Sequence, residues 1–595
     1  MKKRAVTILA LLLCLVLLSG CGTPGNDLSG SLDEVLSEIL DRAEPVHNPD
    51  GVMFRDMRYS RPDTEKLAAD VAAVESALDE GQPLKAVEAL LDVCMDDYDV
   101  FSTMCSLANI YNCKDLRDEY YAAEYEWIST ESPEVSRLFD HMYYACAGSE
   151  LGQELEDDYF WEGFCEDYAD PNDSYYNDET VALMQQESEL VSRYRELVAD
   201  PTVSFEGEER SFLELLDEID TGTYTGYFQY LSVLTSYYEK YNAPMAEIYI
   251  ELMRVRTEMA GKMRFSSCEE MEYVFGFDRD YTPEDAAVFI NEVKTHIVPI
   301  YVWAEGRGLT YGESYGSLGS AQLYDALKSV ARSIGGDCPD AFALMDRYGL
   351  CDIEESPYKA DTSFQTYLNS YDVPFIFLKP RGNSEDLMTF VHEFGHFTDS
   401  YVNFDAAETI DVAEIFSQAL EFLALSHMDG VLADSEIRAL RDGKMIDALN
   451  TFIQQAAFAQ FESMAHAVGP DELTAEKLNE LALQSAKDFG FCPDGFEQIY
   501  QYYWMDIVHF FEYPFYVISY PVSLSVAMQI YDLEQRQPGL GTEKYFEIMP
   551  RDYENFMDTV VHGGLEDPFA EGSMSRIAAL IGNTLGYKAP LADAA

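Results

Sequence analysis

The chain has 595 residues, 47% of them hydrophobic, enough to bury a large core in one or several domains. Lysine and arginine total 39 against 108 aspartate and glutamate, a formal charge of −69. That balance excludes the basic footprint of a nucleic-acid-binding protein and disfavours anionic headgroups, while a surface so acidic keeps a protein in solution and could draw in cationic peptides.

The N-terminus reads as an export signal. Lys2, Lys3 and Arg4 precede an apolar run from Ala5 to Leu18, too short to span a bilayer comfortably, and Ser19, Gly20 and Cys21 follow. The stretch LSGC resembles a bacterial lipoprotein signal, which implies loss of residues 1–20, a lipid on Cys21, and a protein held at the cell membrane facing outside the cytoplasm. Residues 21–31, small and polar, read as a flexible tether. No later stretch is long and apolar enough to span a membrane. Besides Cys14 and Cys21 there are nine cysteines and no CxxC pair, so a structural zinc knuckle is not expected and at least one thiol should stay free.

From about Leu32 the pattern is helical. EKLAADVAAVESALDE (65–80) and APMAEIYIELMRVRTEMAGKM (243–263) carry apolar residues at three- and four-residue spacing. DRDYTPEDAAVFINEVKTHIV predicts a helix capped by Thr282, with Pro283 at its first position and acidic residues in its first turn. Residues 167–179 and 199–210 are polar breaks and read as loops. The expected division is a helical N-terminal region, 32–240, followed by a catalytic region, 241–595.

One strand signal matters: Val373 to Lys379 (VPFIFLK) is short, aromatic and β-branched, and stops at Pro380. Ser384 offers an N-cap, and Glu385 and Asp386 suit the positive end of a helix. That helix carries HEFGH, 392–396. Residues i and i+4 share a helix face, so His392 and His396 can direct their rings at one point and occupy two corners of a zinc tetrahedron. Glu393, beside them, is placed to act as base on a water at the metal. A third ligand must come from elsewhere. Asp399 and Val402 stand where the metzincin extension needs Gly and His, which excludes that branch. DVAEIFSQALEFLAL (411–425) supplies Glu414 and Glu421, two turns apart on one face, and spacing does not choose between them.

HEFGH followed by AEIFSQALEF resembles the thimet oligopeptidase and oligoendopeptidase F family of zinc metallopeptidases, whose third ligand is read as the glutamate closing an E-x-x-S-x-x-x-E pattern. The resemblance thus implies Glu421 as ligand, with Glu414 orienting a histidine. IVHFFEYPFYVISYPVS (507–523) is similar to the H-F-Y-x-x-P-F-Y-V-Y-x-Y stretch of the oligoendopeptidase F branch, with Ile518 where that branch usually has tyrosine. It implies that His509, Tyr516 and Tyr520 face substrate, and that His509 and Tyr520 stabilise the oxyanion. The similarity runs from about 245 to 570, with SPYKADTSFQTYLN (356–369) departing from the family's glycine-rich stretch.

The resulting expectation is a mainly α zincin with a small sheet and two helical lobes around a deep channel. It holds one Zn²⁺ and cuts internal bonds of short peptides, with no obligate protein partner. The extended substrate is expected to pair with the strand 373–379 as an edge. Two other readings are open. GESYG (312–316) matches a nucleophile elbow with Ser314 as nucleophile, but a helical pattern precedes it where a buried strand is required. A lipid-anchored peptide-binding protein of the same fold would be indifferent to Glu393→Gln. His47, His141, His296, His427, His466 and His562 read as ordinary polar residues.

Overall fold

The computed structural model describes residues 46–309, 318–382, 385–404, 409–550 and 555–588. From Val52 onward these form one compact, mostly helical unit. The first long helices are α1 (Thr64–Asp79), α2 (Leu84–Lys114), α3 (Glu119–Ala147) and α4 (Asp178–Ala199). In α1, Leu67, Val71, Val74 and Ala77 form the buried stripe that its periodicity predicts, and Asp63 caps it by accepting from the Lys66 N–H at 2.9 Å. With parts of α2 and α3 this stripe encloses a satellite core that ends on Phe164, stacked 4.0 Å from Phe160.

The stretch expected as a loop at 199–210 is largely a hairpin, β1 (Thr202–Phe205) paired antiparallel with β2 (Glu208–Ser211). Glu206 (φ 53°) and Gly207 (φ 90°) make its turn, and two positive φ values are what a two-residue hairpin requires. Helix α5 (Tyr224–Lys262) follows and runs unbroken through the expected boundary at 240/241. Its buried face, from Val233 to Ala260, belongs to the same large core as the catalytic elements, so the chain does not divide there. Helix α6 (Pro283–His296) begins as the sequence predicts, with Thr282 and Asp285 forming a reciprocal capping box. Helices α7 (Ser320–Ile334) and α8 (Cys338–Tyr348) lead into the sheet.

That sheet has strand order β3 (Cys351–Asp352), β5 (Val373–Phe377), β4 (Phe364–Leu368); β5 is parallel to β3 and antiparallel to β4. The predicted strand therefore exists, but it is central rather than an edge: every residue of β5 is buried. The edge is β4. The Ile376 N–H is used toward β3, donating to the Leu350 carbonyl at 3.0 Å, so its partner Gln365 directs its own backbone groups away from β5. Helix α9 (Asp386–Asn403) packs on this sheet, and helix α10 (Ile410–Ala424), buried along almost its whole length, packs on α9. Helices α11 (Asp434–Val468), α12 (Ala475–Asp488), α13 (Val508–Glu512) and α14 (Ser519–Arg536) complete the surroundings of the site. Among the described residues no helix is long and apolar enough to cross a membrane.

Candidate active site

The two central helices touch through a glycine. A Cβ on Gly395 would lie 2.5 Å from Ser417 Cα and 2.9 Å from the Phe416 carbonyl oxygen, so α9 and α10 approach closer than any side chain would allow. Phe390, Phe394 and Phe397 bury the opposite flank of α9 and fix its rotation. His392, Glu393 and His396 are thereby turned into a cavity of about 510 Å³, which Glu414, Tyr516, Tyr520 and the edge residues Phe364 and Gln365 also line.

His392 and His396 have ring centroids 5.0 Å apart at an interplanar angle of 83°. The two ring nitrogens of His392 meet different glutamates. Nδ1 is 3.0 Å from Glu421 Oε1, and Nε2 is 3.7 Å from Glu414 Oε2. A carboxylate only accepts, so Nδ1 carries the hydrogen and Nε2 is the nitrogen left for a metal. Possible ligand atoms of His392, His396 and Glu414 all lie within 4.8 Å of one another. This exchanges the two roles expected from the sequence: Glu414 closes the donor set, and Glu421 orients His392. Glu421 is held in turn by Lys444, whose Nζ bonds its other oxygen.

The electrostatics follow from burial. Glu393 is pushed up to about 7 by desolvation, against the pull of His392. His396 is driven down to about 3 by burial and by His392, which leaves it neutral, the form that binds metal. Burial also acts against charge on His392, but the Glu421 hydrogen bond and the carboxylates of Glu414, Glu421 and Glu393 outweigh it and lift its pKa to about 9. Burial raises Glu414, although Ser417 Oγ and Gln418 Nε2 each donate to its Oε2 at 3.2 Å. Burial likewise opposes the Glu421 charge, yet Lys444 and His392 hold its pKa below the usual value. One neutral imidazole, a second that gives up its Nε2 proton when a metal takes that nitrogen, and one carboxylate, with Nδ1 of the second ring already satisfied by Glu421, are a donor set that fits a divalent ion with a coordination position to spare.

Opposite this cluster stand the three aromatic residues implied by the sequence. Tyr516 and Tyr520 line the cavity, their rings 5.2 Å apart. His509 is one step back, with Nε2 3.3 Å from the Tyr520 hydroxyl and its ring 5.2 Å from that of Tyr516. Burial raises both phenols well above 10 and lowers His509, so Tyr520 is a hydrogen-bond donor at neutral pH.

Several residues here escaped the sequence reading. Lys444 stands 23 positions beyond Glu421 on another helix, and nothing in a motif marks it. Arg279 forms a fully buried ion pair with Asp411 at 3.0 Å, and Glu462 accepts from the Phe515 N–H at 2.9 Å. Asp411 alone carried a signal, being an acidic residue in the first turn of the apolar α10. The nine described cysteines are free thiols. His296, His427 and His562 contact Glu292, Ser333 and the Asp558 carbonyl respectively, as ordinary polar residues do. Cys21, Ser314 and Ser384 lie outside the described residues.

Comparisons with known proteins bear on the family and the fold. A peptidase M3 N-terminal domain matches residues 54–164, and peptidase family M3 matches residues 341–551, together just over half of the chain. Chromosomal oligoendopeptidase F of Lactococcus lactis subsp. cremoris is 28% identical over 230 residues, 36% of this chain and 35% of that protein. Oligopeptidase PepF of Bacillus subtilis (strain 168) is 26% identical over 274 residues, 43% of this chain and 38% of its own length. The matched part thus spans little more than a third of these curated relatives. Among solved structures, PZ peptidase A with an inhibitor superposes with a TM-score of 0.78 at 23% identity, covering 90% of this chain and 99% of that one. Oligoendopeptidase F from Enterococcus faecium gives 0.58 at 17% identity, covering 88% and 96%; both similarities establish the fold. A mostly helical fold shared with these peptidases, and two family models spanning the satellite core and the HEFGH helix, make the chain a member of peptidase family M3.

Proposed function

We propose that this chain is a zinc-dependent oligopeptidase that hydrolyses internal bonds of short peptides. The observation that carries the reading is the convergence of His392, His396 and Glu414 beside Glu393 in a cavity with tyrosine hydroxyls on its other wall. Two imidazoles and one carboxylate suit zinc among the divalent ions. Such an ion, when bound, polarises the scissile carbonyl and makes a nearby water acidic enough to ionise near neutral pH.

The chain's own groups supply the rest. Glu393, with a pKa lifted to about 7, takes the water proton and returns it to the leaving amine. Attack on an amide builds negative charge on the former carbonyl oxygen, and the Tyr520 hydroxyl, backed by His509, donates to it, with Tyr516 beside it. The extended peptide adds to the free edge of β4. The backbone N–H and C=O of Gln365 are open there, whereas Ser106 Oγ on α2 covers the next outward carbonyl, that of Tyr367, at 3.1 Å. Location is a separate part of the proposal: a lipid on Cys21 holds the enzyme at the outer face of the membrane, tested by membrane fractionation and acyl labelling of Cys21→Ala against the unaltered protein.

The decisive experiment is digestion of a mixed peptide library, read by mass spectrometry, with the unaltered protein, with a chelator, and with Glu393→Gln. Internal cleavage that needs the metal and is abolished by Glu393→Gln with metal retained supports the reading. Cleavage indifferent to both would sink it.

A further inference from the structure

The turn that presents Tyr516 and Tyr520 is held by one buried guanidinium. Arg279 precedes α6 and exposes none of its side chain. Its Nε donates to Asp411 Oδ2 at 3.0 Å, and its Nη2 donates to the Phe515 carbonyl at 3.0 Å and to Ser519 Oγ at 2.7 Å. The Tyr281 hydroxyl donates to the same Asp411 oxygen at 3.1 Å, and the rings of Tyr273 and Phe277 lie 4.5 and 4.6 Å from the guanidinium carbon. Asp411 stands three residues before Glu414 on α10, and Ser519 immediately precedes Tyr520. One rigid, planar group therefore bridges the helix that offers the carboxylate ligand and the turn that offers the hydroxyl donors.

The turn itself is set against its local preference. Phe515 has φ +59°, a left-handed conformation that a bulky side chain keeps only where its surroundings fix it. Both of its backbone groups are taken by buried polar side chains: Glu462 Oε1 accepts from its N–H at 2.9 Å, and Arg279 donates to its carbonyl. Ser523 Oγ then donates to the Asp411 carbonyl at 2.7 Å, carrying the seam from α10 into α14.

We propose that Arg279 is a positioning residue that sets the separation between the Glu414 carboxylate and the hydroxyls of Tyr516 and Tyr520, an inference that rests on the peptidase reading. Three acceptors in one forked arrangement suit a guanidinium and not the single point charge of lysine. Arg279→Lys and Ser519→Ala are made in the unaltered protein and in a Tyr516→Phe/Tyr520→Phe background. In each, kcat, KM, zinc content and melting temperature are measured on a peptide that the library digest identifies.

The expected result is a fall in kcat of about tenfold or more for Arg279→Lys and about threefold for Ser519→Ala, with KM and zinc content near those of the unaltered protein. Both losses shrink to less than about twofold once the two hydroxyls are gone, because neighbours acting through one group are not additive. Equal losses in both backgrounds, or losses that track zinc content or melting temperature, overturn the proposal. Should Arg279→Lys fail to fold, Ser519→Ala leaves the Arg279–Asp411 pair intact and carries the same test. Failure of the peptidase reading looks different: the unaltered protein would then cut no peptide, or Glu393→Gln would match it, and both readings would fall together.

Discussion

Replacing Gly395 by alanine tests whether the closeness of α9 and α10 is what brings the donors together. On an isolated helix this change is favourable by about 1 kcal/mol, because alanine has the higher helix propensity. Here the new Cβ would meet Ser417 Cα at 2.5 Å and Ser417 N at 3.1 Å, both backbone atoms that no rotamer change can move. Ordinary contact needs about 3.5–4.0 Å, so α10 must retreat by about 1 Å. Ser417 lies one turn beyond Glu414, so the same retreat withdraws the carboxylate from the two imidazoles, whereas metal sites tolerate about 0.2 Å. Overpacking of this kind costs about 1–3 kcal/mol, which reverses the sign expected from propensity. Urea unfolding of the chelated protein should therefore show a loss of stability, and competition with a chromogenic chelator should show zinc affinity reduced by about tenfold or more. A variant that gains stability, or keeps its zinc affinity, would refute the close-approach reasoning.

The two glutamates of α10 should separate in the same chelator assay. Glu414→Gln removes a ligand, whereas Glu421→Gln only loosens the orientation of His392, at a cost of about 10–100-fold in affinity, and the larger loss should belong to Glu414. A larger loss at Glu421 would restore the assignment first expected from the sequence. Lys444→Met removes one of the two partners of Glu421 and leaves its buried carboxylate with His392 Nδ1 alone, so the metal-free protein should lose about 1–3 kcal/mol, read by urea unfolding. Glu462 is fully buried and burial pushes it up to about 8, above its unfolded value near 4.5. Its contribution to stability is thus complete below pH 4.5 and is lost as pH rises toward and through 8. Glu462→Gln keeps an acceptor for the Phe515 N–H and should flatten that decline by a few kcal/mol, about 1.4 per pH unit; parallel melting curves for the two proteins across this window would contradict it. Gln365→Pro deletes an N–H that points away from β5, so it should raise KM while leaving the sheet intact, and an unchanged KM would remove β4 as the substrate edge.

What was legible in the sequence was local. A four-residue spacing on a helix places His392 and His396 together because the helical period does so, and Thr282 with Pro283 starts α6 through backbone chemistry confined to one turn. The sheet was half legible. VPFIF reads as a strand, and its unbroken apolar run was already the mark of a strand covered on both faces, while the more polar FQTYL beside it fits a half-exposed edge. The hairpin at 202–211 was hidden by charge, since Glu206, Glu208 and Glu209 mask the alternation that its Glu–Gly turn would otherwise have punctuated.

The identity of the third ligand was beyond reach for a different reason. Glu414 and Glu421 share one face of α10, and the site uses both, because one imidazole has two nitrogens pointing in opposite directions and each needs a partner. Choosing between them requires knowing the height at which α10 crosses α9, and that height is set where Gly395 meets Ser417 rather than by anything in the spacing of the glutamates. Arg279 and Asp411, 132 positions apart, are hidden more deeply still. A buried charge survives only with a partner, so each of the two identifies the other once the fold is known and neither does so before. The groups that were readable are those to which the proposed chemistry is assigned; the groups that hold them in place are long-range pairs, and only the tertiary fold brings them together.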